Sequence, residues 1–302
     1  MRYTLKQLGY FLAAGEHGSI TGAAQAINVS QAAISAALSH LEAVLGVQLF
    51  VRRHAQGLSL TPAGRDLLGE ARRLLAQAGE LERHARTLGG AVAGTLEIGC
   101  FLTVAPAIMP GLIRRFQAEH KAITVACTIG NQEELASGLR NGRFLVALTY
   151  DLQLGDDIVF RPLASLPPFA ILPKGHALAA QDSLTLAELA PEPMVFLDLP
   201  LSREYFLSLF YSKGLEPRIA HRFAAIEMVK GMVANGFGYA LLNWPLAVHR
   251  ALDRKPFVTR PLADALRPLR LGLAWRADVT LTRAAEAFLA HCRKHAAAEL
   301  GG

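Results

Sequence analysis

The chain has 302 residues and a formal net charge of +6; 52% of it is hydrophobic and 19% charged. That is long enough for two or more domains with cores of their own, and too apolar for a disordered or polyelectrolyte chain. The mild basic excess is compatible with nucleic acid without requiring it.

No run reaches the roughly 18 apolar residues of a membrane span. The first residues read as an amphipathic helix rather than a signal peptide, so a cytoplasmic protein with no membrane partner is expected. Cys100, Cys127 and Cys292, an odd count without short pairing, fit a reducing compartment.

In chain order, Leu5, Leu8, Phe11 and Leu12 mark a first helix with Thr4 as its cap. Ser19–Leu41, SITGAAQAINVSQAAISAALSHL, reads as two short helices joined at Asn28, a residue type that tolerates left-handed backbone. Ile20, Ala23, Ala24 and Ile27 should face one core; Ser30 should cap the second helix, with Ile34, Leu38 and Leu41 buried. A small Ala24 at a steep crossing and a bulky Ile34 beneath it are what a helix-turn-helix needs. The remaining polar face, Gln31, Ser35, Ser39 and His40, would enter a DNA major groove. Gly46 should end that helix. Leu49–Val51 and Leu58–Leu60 read as the strands of a β-hairpin wing, with Arg52, Arg53 and His54 as a basic tip for phosphate or minor groove.

Thr61-Pro62 opens a long helix running to Gly89-Gly90. Leu67, Ala71, Leu74, Ala78, Leu81, Ala85 and Leu88 form a heptad seam, read as a homodimerising linker. From Thr95 onward strands and helices alternate, which implies parallel sheets with right-handed crossovers. Strands are predicted near 95–100, 124–129, 144–149, 169–172, 194–197, 218–224, 238–242 and 270–275. Helices are predicted through Phe116 and over 132–141, 202–213 and 226–235, with a last one from Thr282. Chain crossings at Tyr150-Asp151 and around Thr259-Arg260-Pro261 would make two α/β lobes around a ligand cleft.

These parts resemble the LysR-type transcriptional regulators over essentially the whole chain. LKQLGYFLAAGEHGSITGAAQAINVSQAAISAALSHLEAVLGVQLFVRR and LSLTPAG carry the resemblance most closely; VKGMVANGFGYALLN is similar to a helix-turn-strand piece of the C-terminal module. The resemblance implies a winged helix-turn-helix domain over 1–61, a linker helix over 62–90 and a two-lobed effector domain over 91–302 like a periplasmic binding protein. Lobe I would take about 91–161 and 260–302, and lobe II about 162–259. It also implies promoter DNA, a small organic effector and RNA polymerase as partners, and a tetramer built from two kinds of dimer contact. Gly22 and Ala36 stand where the family often has Arg, and Ala32 where Pro is frequent. DNA contact is therefore expected from Thr21, Ser30, Gln31, Ala32, Ser35 and Ser39 together with the wing.

For the effector, Phe101, Leu102 and Thr103 follow the first α/β strand, and Asn131 takes the same place after the second. Leu199 and Ser202 precede or open one helix of the second lobe, and Phe223 and Ile226 another, so their helix N-termini could hold a polar or anionic group. Arg203 and Arg222 could pair with a carboxylate.

Three other readings stay open: a redox sensor using Cys100 and Cys127, a non-regulatory α/β ligand-binding protein, and a scaffold that only dimerises. No nucleophile elbow, phosphate loop or zinc spacing suggests an enzyme. His291 and His295 stand four apart on the last helix, a spacing that could hold metal, but no acidic partner is expected beside them. The expectation is a solvated helix, no metal and no cofactor.

Overall fold

The computed structural model describes residues 3–53, 57–87, 94–245 and 248–300. The chain resolves into two compact units, an N-terminal one up to Gly94 that also takes in Ser137–Phe144, and one formed by Thr95–Ala136 and Leu145–Gly302.

The N-terminal unit runs α1 (Leu5–His17), α2 (Ile20–Ala26), α3 (Gln31–Leu45), β1 (Phe50–Arg53), β2 (Gly57–Leu60) and α4 (Pro62–Thr87). Local chemistry sets each boundary. Thr4 and Gln7 form a reciprocal capping box on α1, and Gly18, left-handed, closes it. The Ser19 hydroxyl accepts the Gly22 N–H, and the Ser30 hydroxyl accepts the Ala33 N–H. Between the two helices Asn28 turns the chain at φ 54°. A side chain at Gly22 would crowd the Ser19 hydroxyl that caps α2, so this position combines a missing cation with a close cap.

Leu8, Phe11, Ala23, Ala24, Ile34, Leu38, Leu41, Leu49 and Phe50 form one core. Phe11 meets Phe50 edge-to-face, with centroids 5.6 Å apart, and so ties α1 to the wing. Two positions depart from expectation: Ile27 and Leu5 are 38% and 46% exposed, because each sits at a helix end where the apolar stripe has turned past the core.

The linker helix is not one continuous partner-facing seam. Leu67, Ala71 and Leu74 pack, with Leu68 and Leu75, on the core of their own unit. The seam emerges only beyond them, where Leu81 is 72% exposed. Leu88 lies outside the described residues.

From Gly94 the chain continues with β3 (Gly94–Phe101), α5 (Ala105–Glu119), β4 (Ile123–Gly130), α6 (Gln132–Arg140, its end from Ser137 grouped with the first unit), β5 (Val146–Tyr150), β6 (Ile158–Leu166), β7 (Phe169–Pro173) and α7 (Leu186–Leu189). It goes on through β8 (Met194–Leu197), α8 (Ser202–Tyr211), β9 (Ile219–Phe223), α9 (Ile226–Ala234), β10 (Ala240–Leu242), β11 (Phe257–Pro261), β12 (Leu269–Arg276) and α10 (Arg283–Leu300). The lobe I sheet has the order β4-β3-β5-β12-β6. In lobe II, β8 and β9 pair in parallel, while β10 and β11 flank β7 antiparallel. A bridge between Met194 and Tyr239 joins the two pieces.

Two expectations are corrected. The sheets are mixed rather than parallel, since β12 runs antiparallel to both β5 and β6. The crossings are also displaced. After Tyr150-Asp151 the chain returns to the same sheet as β6, and Thr259-Arg260-Pro261 belongs to β11. The chain therefore changes lobes between Leu166 and Phe169 and again between Pro261 and Leu269. Pro162 hid β6 in the sequence; it is tolerated because β6 is an edge strand, with a register shift at Leu271/Gly272 beside it. Gly272 is needed there, since a Cβ would press on the Arg161 carbonyl and the Phe160 ring.

Candidate functional site

Two surfaces carry the candidate residues. On the N-terminal unit, α3 begins at Gln31, so its first turn projects beyond the core that Ile34 and Leu38 anchor. Thr21, Ser30, Gln31, Ala32 and Ser39 are exposed and Ser35 is half-buried, so the residues expected to read DNA share the open side of α2 and α3. His40 differs: the Gln7 amide lies 3.1 Å from its Nδ1, which turns it toward α1. Arg52 pairs with Leu58 and Arg53 with Gly57 across the wing. His54 lies outside the described residues.

The wing is held by a residue the sequence reading passed over. Glu42 Oε1 accepts the N–H groups of Leu49 and Phe50, at 2.7 and 3.1 Å. Thr61 closes the other side: its hydroxyl donates to the Gln48 carbonyl at 2.7 Å and accepts the Gly64 N–H at 2.9 Å.

The second surface is a cleft between the lobes, lined by residues that include Phe101, Thr103, Tyr150, Leu199, Ser202 and Ile226. Leu197, Phe206, Leu242, Asn243, Trp244 and Leu269 complete its wall. Its free space is about 20 Å³, room for about one water. Of the eight residues expected there, Phe101, Thr103, Leu199, Ser202 and Ile226 line it; Leu102, Asn131 and Phe223 do not.

Asn131 is committed elsewhere. Its side-chain oxygen accepts the Glu134 N–H while Glu134 accepts the Asn131 N–H, a capping pair for α6. The next residue, Gln132, is the one that turns inward: fully buried, it donates to the Tyr150 and Leu152 carbonyls at 2.9 Å each and accepts the Thr149 hydroxyl at 2.7 Å. Arg203 and Arg222 are also engaged, since both pair with Asp198, at 3.1 and 3.4 Å.

The electrostatics of the cleft come from the backbone. α1, α2, α3, α4, α6, α7 and α10 each begin under a side-chain cap. α5, α8 and α9 begin without one. Their opening stretches supply Thr103, Ser202 and Ile226 to the cleft wall. Uncapped first turns present the positive end of the helix dipole; part of their N–H groups is already used, since Ala107, Arg203 and Met228 donate to the Val104, Leu199 and Ala225 carbonyls and Pro106 has none. Leu201, at φ 65°, holds the chain in a left-handed kink just before α8. The Asn243 amide nitrogen, buried beside Tyr205, makes no hydrogen bond of normal geometry. Burial raises the Tyr150 hydroxyl well above its ordinary range, so it is a neutral donor beside the Thr103 hydroxyl.

The comparisons agree with this geometry. Residues 5–65 match the bacterial regulatory helix-turn-helix protein, lysR family, and residues 89–297 match the LysR substrate binding domain. The chain belongs to the LysR family of transcriptional regulators. The HTH-type transcriptional regulator YvbU of Bacillus subtilis is 30% identical, over 88% of this chain and 93% of its own. A probable hydrogen peroxide-inducible genes activator of Streptomyces viridosporus is 30% identical, over 94% and 90%. Among solved structures, HinK, a LysR family transcriptional regulator from Pseudomonas aeruginosa, is 40% identical, with a TM-score of 0.66 over 97% of this chain and 98% of that one.

In this LysR regulator burial acts on all three thiols. Cys100 is buried, and that burial, reinforced by Cys127 and Cys292, raises its thiol well above the ordinary value. Burial also raises Cys127 and pushes Cys292 up to about 12. A protonated thiol is a weak nucleophile. No helix among the described residues is long and apolar enough to cross a membrane.

Proposed function

We propose that this regulator acts in the cytoplasm as a non-catalytic switch whose effector is a small organic anion with an apolar body, taken up between the lobes. The observation that carries this reading is the convergence of three uncapped helix starts, α5, α8 and α9, on a wall that also holds the Asn243 amide. No arginine or lysine lines that wall among the described residues, so the anion would be met by helix ends and neutral donors. Phe101, Leu199, Phe206 and Trp244 would receive the apolar part. Because the cleft holds little free space, the lobes would part to admit the ligand, turning about the two crossings near 166–169 and 261–269.

On this reading Gln31, with Thr21, Ser30, Ala32, Ser35, Ser39 and the Arg52-Arg53 wing, contacts promoter DNA. The exposed end of α4 pairs two chains, and further contacts between effector domains make a tetramer that engages RNA polymerase. Ligand-driven movement of the lobes would change the spacing of the DNA-binding domains and the bend they impose. Footprinting and bend-angle measurement on the full-length protein, with and without saturating ligand, test this. Ligand-dependent footprints are expected; identical footprints and bends would sink the coupling.

The redox reading draws on the peroxide-inducible relative, but the raised thiols of Cys100 and Cys127 weigh against it. Thiol loss at low peroxide concentration would revive it.

A further inference from the structure

α5 and α10 pack against each other in lobe I, and their contact brings together three side chains that the sequence keeps far apart. His291 and His295 stand one turn apart on α10 and therefore share a face. Glu119, the last residue of α5, reaches both. Its Oε2 is 3.2 Å from His291 Nδ1 and its Oε1 is 3.8 Å from His295 Nε2. Tertiary structure thus brings an acidic partner from a distant segment to both histidines, and His291 is buried rather than solvated, 3% exposed.

We propose that Glu119, His291 and His295 form a binding site for a divalent transition-metal ion of the zinc class, joining the end of α5 to α10.

Three observations support it. The ligand atoms of the trio lie within 4.8 Å of one another. Zinc bonds of about 2.0–2.1 Å in a tetrahedron place ligand atoms about 3.3 Å apart, close to the two distances above. The Nε2 atom of His295, one of the ligand atoms above, is buried without a hydrogen-bond partner, so a simple Glu–His pair leaves it under-used. Finally, Glu119 puts a carboxylate at the negative end of the α5 dipole, where a cation is favoured. Phe116 braces the site, its ring edge-to-face with His291 at 5.5 Å.

Arg115 and Lys294 border the trio. Lys294 reaches to 3.9 Å from Glu119 but is 70% exposed and can turn to solvent. Three protein ligands leave a fourth position for water. The imidazole and carboxylate set suits zinc, nickel or cobalt over magnesium or calcium.

The test uses tag-free, full-length protein stripped with chelator and titrated with Co²⁺. The expected result is one ion per chain with the visible absorption band of low-coordinate Co²⁺, displaced by Zn²⁺. His295→Ala and Glu119→Gln should each weaken binding by about tenfold or more, whereas Cys127→Ser should leave it unchanged. Circular dichroism of each variant checks that it has folded; His291, being buried, is left intact. Absence of binding to folded wild-type protein, or binding that survives both substitutions, or binding lost in Cys127→Ser instead, would overturn the assignment.

Discussion

Glu42 holds Leu49. The carboxylate near the end of the recognition helix accepts the N–H of the residue that enters the wing at 2.7 Å, and that of Phe50 at 3.1 Å. One side chain thereby couples the placement of α3 to that of the basic hairpin. Glu42→Ala removes two charge-assisted hydrogen bonds and should destabilise the N-terminal unit by about 1.5–3 kcal/mol, read by chemical denaturation. Gly64→Ala should act on the same junction, because a Cβ there would press on the Leu49 carbonyl oxygen.

Gln31 opens α3 on the exposed side of the helix-turn-helix. Gln31→Ala should weaken specific DNA binding by about 1–3 kcal/mol while leaving ligand binding intact. Gel shifts on specific and scrambled duplexes, with calorimetric ligand titration, measure the two separately. Simultaneous loss of ligand binding would count against independent domains.

Asn243 lines the cleft with an amide nitrogen that, beside Tyr205, makes no hydrogen bond of normal geometry. Asn243→Leu should keep or slightly raise thermal stability, since an under-satisfied buried polar group is replaced by an apolar one of similar size. On the proposed reading, small carboxylates should raise the melting temperature of the wild type, and this variant should lose that rise. A variant that still responds would place the ligand elsewhere.

Leu81 is the exposed outlet of the α4 seam. Leu81→Glu should shift the protein toward monomer in sedimentation or light scattering, whereas Leu74→Ala should lower stability of the N-terminal unit itself, because Leu74 packs on that unit's core.

The thiols predict a pH dependence. With Cys100, Cys127 and Cys292 all raised above 9.0, native alkylation at neutral pH should be slow, rising with pH past 9.0. The linkage has a definite sign. The folded state keeps these protons while the unfolded chain releases them, so their contribution to stability is complete below 9.0 and is lost as pH climbs toward about 12 for Cys292. Rapid modification at pH 7 would show a more reactive thiol than this packing permits.

Much of the N-terminal unit was legible in the sequence because its determinants are local. Thr4, Ser19, Ser30 and Thr61 cap the helices they precede, Asn28 and Gly46 take left-handed backbone, and Ile34, Leu38 and Leu41 repeat at helical spacing. Each of these is decided within a few residues of itself, so the helix-turn-helix and its wing could be read before any contact was known. Most of the α/β elements were also marked by their own patterns, but β6, α7 and β11 were not.

What only the tertiary structure decided are the relations between distant segments. Strand order made β6 an antiparallel edge despite Pro162 and moved the crossings to 166–169 and 261–269. Capping, invisible until the helix starts were placed, withdrew Asn131 from the cleft and left α5, α8 and α9 open toward it. Packing of α4 on its own unit took three of the seven positions of an apparent dimer seam. Docking of α5 on α10 carried Glu119 across 172 positions to His291. A sequence specifies which groups can bond; which of them meet depends on the path of the chain between them, and no local pattern encodes that path.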